Sequence, residues 1–144
     1  MRILAVTLLL ALAASVCQAR DESVDALKSR LQNSSAQDRP GLCIEIAQRQ
    51  LQNADKFYTE GDVGDARLAV DDIVTYSEKA RDAAKDAKKH LKRVEIAVRK
   101  IAEKLADIKR TLAFEDQPPV EQAIQRLQDV RTSLLQEMFK KEKK

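Results

Sequence analysis

An unbroken apolar stripe between Val63 and Leu112 constrains this chain more than any other feature. In alternating steps of three and four it runs Val63, Ala66, Val70, Ile73, Ser77, Ala80, Ala84, Ala87, Leu91, Val94, Val98, Ile101, Leu105, Ile108, Leu112, and only Ser77 is polar. Neither Gly nor Pro occurs between Gly64 and Pro118. A seven-residue apolar repeat of that length predicts a helix with one face buried against other helices. Read as one helix over about 63–114, it would be roughly 75 Å long at 1.5 Å per residue. Ala69, Val74, Tyr76, Ala83, Ala97 and Ala102 flank the stripe, so the buried face is wide enough for two neighbouring helices. Its weakest section is the run of small residues from Ala80 to Ala87, which buries little area per residue.

The remaining elements fall on either side. Val24, Leu27 and Leu31 give a short amphipathic helix over 21–35. A turn-rich stretch ending at Arg39-Pro40-Gly41 separates it from a second helix over 42–59, with Ile44, Ala47, Leu51, Ala54 and Tyr58 on one side. Gly61 suits the left-handed end of that helix, and Asp62 the cap of the next. Phe114 is expected to cover the end of the long helix. Pro118-Pro119 then marks a connector, with Pro119 in the first turn of a last helix over 120–140. Its stripe is Val120, Ile124, Leu127, Leu134 and Met138, interrupted by Arg131.

The expectation is an all-α fold of elongated, coiled-coil-like antiparallel hairpins around one long central helix. The alternative is a compact four-helix bundle in which that helix breaks between Ala84 and Lys92. Residues 44 to 80 resemble one tetratricopeptide-type hairpin through Ala54, Phe57, Gly61-Asp62 and Ala66. Gln50, Asn53 and Glu78 depart from that family's pattern, and no repeat follows 34 residues on, where Lys88, Leu91, Glu95 and Lys100 stand. The resemblance therefore implies a nested pair of antiparallel helices and no peptide-binding array.

The start of the chain reads as a secretory leader. Met1-Arg2 precedes an uncharged run from Ile3, and Cys17-Gln18-Ala19 offers small residues for cleavage after Ala19. The apolar run is short for a spanning anchor, which is the alternative. Residues 20–144 would then form one helical domain, exported to the periplasm or beyond. Removing the leader takes away one basic residue, so 26 Lys and Arg become 25 against 23 Asp and Glu. So even a balance argues against nucleic acid as a partner.

Chemistry is sparse in the sequence. His90 is the single histidine, with no second histidine or cysteine at ligand spacing. No Gly-rich phosphate loop and no nucleophile with a partner base stand out, so no enzyme, cofactor, metal or small-molecule substrate is expected. Two features suggest partners. Lys85, Lys88, Lys89, Lys92, Arg93, Arg99 and Lys100 form a basic cluster; it reads either as a solvated face or as a surface for an anionic partner such as lipid head groups. Cys43 is the one cysteine left after the leader; it reads either as a small buried residue or as an intermolecular disulfide. The expected function is a non-enzymatic interaction or scaffold protein of the cell envelope, acting through helix packing on a protein partner or a second copy. Amphipathic binding to a lipid surface is the alternative.

Overall fold

The structure is a computed structural model that describes residues 22–142, with side chains from 22 to 140. The leader assigned to residues 1–19 lies outside the described residues. Five α-helices follow one another, and no strand occurs among the described residues: α1 (Val24–Gln32), α2 (Arg39–Glu60), α3 (Val63–Ala87), α4 (Leu91–Thr111) and α5 (Gln117–Glu142). A single 3-10 turn, Phe114–Asp116, joins α4 to α5. The fold is an all-α helical bundle.

Local chemistry explains most boundaries. The Ser23 hydroxyl accepts from the Ala26 N–H at 3.2 Å and caps α1. Pro40 occupies the first turn of α2, where its missing N–H leaves nothing unsatisfied. α2 ends at Gly61 with φ 79°, and the Asp62 N–H reaches back to the Phe57 carbonyl at 2.8 Å. The Asp62 side chain makes no capping bond to α3, contrary to its expected role; Asp65, its neighbour in the first turn, is instead raised in pKa by a hydrogen bond and charge repulsion from Asp62. Both Pro118 and Pro119 fall inside the first turn of α5, which starts three residues earlier than the prolines suggest. Phe114 does not cover a helix end: it is 84% exposed.

The long central helix is corrected. The chain leaves helical geometry at Lys88-Lys89-His90, inside the Ala84–Lys92 span of the alternative fold. Lys88 and His90 both take positive φ, 52° and 65°. The Lys89 N–H donates to the Ala84 carbonyl and the Lys88 N–H to the Lys85 carbonyl, both at 3.2 Å, so the last carbonyls of α3 are satisfied as they are at Gly61. Two left-handed non-glycine residues cost about 1–2 kcal/mol each. A straight rod would leave the second half of α3 covered from one side only. Turned back, α5 packs on α3 and α4 together, and Ser77, Ala80 and Ala84 are each 0% exposed. Burying even a few more aliphatic side chains, at about 1.5–3 kcal/mol each, outweighs the corner. The stripe could not reveal this, because its residues are buried on either side of the break.

Cross-links fix the topology. α5 and the 3-10 turn that leads into it meet α3 through Arg67–Asp116, Glu78–Arg126 and Lys85–Ser133, pairs separated by 49, 48 and 48 residues; a near-constant separation means parallel helices. It meets α4 through Lys109–Glu121 and Glu95–Arg131, 12 and 36 residues apart, as antiparallel helices must. α2 lies antiparallel along α3 with Ala54 and Ala66 wholly buried, the nested hairpin that the tetratricopeptide resemblance implies. α1 lies against this hairpin through Leu27, which is 0% exposed, and through Lys28. The Lys28 ammonium donates to Asp72 at 2.8 Å, a bond that raises its pKa, and sits 5.3 Å from the Tyr76 ring centre. Asp72 also accepts from Gln50 at 2.7 Å, so one carboxylate ties three helices together.

Candidate functional site

The break at Lys88–His90 divides the basic cluster among several surroundings. Lys85 is half-buried in the α3–α5 seam, its ammonium donating to the Ser133 hydroxyl at 3.3 Å. Lys88 and Lys89 lie exposed in the corner. Lys92 and Arg99, seven residues apart on α4, are exposed on one side of that helix. Arg93 and Lys100, also seven apart, face a groove together with Ile96 and Ala97. The cluster is therefore spread over the α3–α5 seam, the corner, one side of α4 and a groove.

This groove is an open concavity of the surface. It has a volume of about 1200 Å³. One wall is the last turn of α1 and the loop after it, with Ser29, Arg30, Asn33 and Ser34. The floor is the first half of α2, with Gly41, Leu42, Ile44, Glu45 and Gln48. The other wall is His90, Arg93, Ile96, Ala97 and Lys100 of the corner and α4. Helical spacing explains the α4 wall: positions 93, 96, 97 and 100 share one side of an α-helix, and Val94, Val98 and Ile101, about 120° round the helix, are in the core. α4 thus presents two faces, one packed on α5 and one left open.

Charge is unevenly satisfied here. Arg30 pairs with Glu22, and the Asp38 carboxylate accepts from the Ser35 hydroxyl at 2.7 Å. Arg93 and Lys100 have no ion pair among the described residues. A Cβ placed on Gly41 would come within 4.0 Å of the Arg93 guanidinium, so Arg93 reaches across to the start of α2. Sequence reasoning missed the α2 side of this groove, because Glu45 and Gln48 read as an ordinary solvent face. The one available signal was Ile96, an aliphatic residue outside the stripe, which here is half-buried in the groove wall.

Cys43 lies elsewhere, under α1 and the end of α3, at the base of a smaller cavity of about 370 Å³. It is 1% exposed, and burial pushes its thiol up to about 11, with Lys79 and Arg39 pulling weakly the other way. An intermolecular disulfide would require this end of the bundle to open, so the buried reading is the one its surroundings favour. No group of three or more His, Cys, Asp and Glu side chains placed to hold a metal occurs among the described residues. No helix among them is long and apolar enough to cross a membrane.

Compared with known proteins, the chain matches no family model, no curated protein and no solved structure. The tetratricopeptide resemblance therefore stands as a shared hairpin geometry.

Proposed function

We propose that this chain is an exported, non-enzymatic binding domain that docks a short amphipathic helix of a protein partner in the groove between α1, α2 and α4. The observation that carries the reading is the open side of α4, where Ile96 and Ala97 lie between two cations that no described side chain pairs. With the rod gone, a rod-shaped scaffold loses its ground, and the interaction reading rests on this groove instead. A helix with side chains is about 10–12 Å across, so the volume suits roughly ten residues of one. The partner chemistry follows from the lining: an apolar residue against Ile96 and Leu42, and acidic residues toward Arg93 and Lys100. Export follows from the leader Met1–Ala19. Burial holds the Cys43 thiol protonated, which takes nucleophilic character from that residue.

A photo-cross-linking side chain placed at Ile96 and, as a control, at Gln128 on the exposed side of α5 tests the reading in cells that produce the protein. Discrete adducts at position 96, absent at 128 and lost on Arg93→Glu with Lys100→Glu, are expected. No adduct at 96, or the same adducts from both positions, would overturn it.

A further inference from the structure

Independently of the groove, the two ends of the bundle differ in charge around an exposed aromatic ring. At one end Phe114, 84% exposed, stands beside Glu115 and Asp116. At the other, Phe139 is 59% exposed, while Met138 next to it packs on the core. The position of Phe139 follows from the cross-links. From Ser133, held by Lys85, to Phe139 is six residues, or about 9 Å, whereas α3 continues only about 3 Å past Lys85. From Arg131, held by Glu95, to Phe139 is about 12 Å, whereas α4 begins about 6 Å from Glu95. The last turns of α5 therefore overshoot the α3–α4 corner, which puts Phe139 and Lys140 at the same end of the bundle as the exposed Lys88, Lys89 and Lys92. Acids described toward this end include Asp86, Glu137 and Asp38, the last bonded to Ser35.

We propose that this end of the bundle docks on an anionic phospholipid surface, with Phe139 seated at the level of the upper acyl chains and the lysines on the head-group phosphates. Protein hot spots are fully desolvated pockets ringed by further contacts; Phe139 is 59% exposed, on a helix end where Leu135 and Met138 are half-buried. An exposed ring among long, flexible cations matches a fluid anionic interface, where lysine stems bend to keep their charge in the head groups. At the Phe114 end the nearby cations are already paired, Arg67 with Asp116, Lys109 with Glu121 and Arg110 with Asp107, so the molecule has one docking end.

Co-sedimentation of the full chain with phosphatidylcholine vesicles, plain or containing about one-third phosphatidylglycerol, tests this. Binding is expected only to the anionic vesicles and is lost at about 0.5 M salt, where charges are screened within a few ångströms. Each lysine near such a surface is worth about fivefold, so Lys88→Glu, Lys89→Glu and Lys92→Glu together reduce binding at least about a hundredfold. Phe139→Ser reduces it about tenfold, and Phe114→Ser leaves it unchanged. Circular-dichroism melts confirm that each variant is folded; should the triple variant unfold, Phe139→Ser and the salt titration decide. Equal binding to neutral vesicles, no binding to anionic ones, or binding indifferent to these substitutions, as a retained apolar leader would give, would overturn the proposal.

Discussion

The Cys43 thiol carries a consequence for stability at high pH. Its ordinary value of 9.0 applies in the unfolded chain, and about 11 in the folded one. Below pH 9 both states keep the proton and nothing is lost. Between 9 and 11 the unfolded state gives up its proton first, so stability falls as pH rises, by up to roughly 2–3 kcal/mol at 1.36 kcal/mol per unit. Urea midpoints measured from pH 8 to 11 are expected to fall faster for the wild type than for Cys43→Ala; parallel curves would show the thiol to be no more buried than in the unfolded chain. Two other residues show what single positions hide. Arg131 interrupts the stripe of α5, and Glu95 lies among apolar neighbours on α4; in the fold they answer one another at 2.6 Å, with Glu95 7% exposed. Each reads as a defect in its own helix, because nothing in a one-dimensional pattern says that two defects face each other.

At the scale of elements, α2 and α3 end in the same way, with the same pair of back-reaching hydrogen bonds. One end was legible and the other was not. Gly61 announces a left-handed residue, because glycine has no Cβ to clash. Lys88 occupies the equivalent place as an ordinary side chain, in a stretch whose composition is that of a good helix. Only the small residues before it, Ala80 to Ala87, hinted that the helix was weakly held there. The strain is measurable. Lys88→Gly and His90→Gly are each expected to raise stability by about 0.5–1 kcal/mol, the left-handed penalty removed less the added freedom of the unfolded chain. Chemical denaturation checks this, and a loss of stability in both variants would place the break elsewhere. The bounds of α2 were legible within a few residues because a proline at Pro40 and a glycine at Gly61 each mark them by a local mechanism.

At the scale of the whole molecule, the all-α architecture follows from helical periodicity, but the path of the chain through it does not. The apolar stripe of Val63–Leu112 reads the same whether the chain runs straight or turns back, so periodicity is silent about the corner that makes α5 a shared partner of α3 and α4. The groove and the lysine-rich end both depend on that corner: it brings Arg93, Ile96 and Lys100 opposite α2, and sets Lys88 and Lys89 at the end of the bundle that α5 overshoots. Spin labels at Thr75 on α3 and Lys104 on α4, with Cys17 and Cys43 replaced, report on it directly. Thr75 lies twelve residues before the end of α3 and Lys104 thirteen after the start of α4, so the turned-back fold sets them level; with α5 seated against both helices at about 8–10 Å from each, the label separation stays below about 35 Å. A continuous helix would hold the two positions about 44 Å apart, and a dipolar distance near that value would contradict the fold described here.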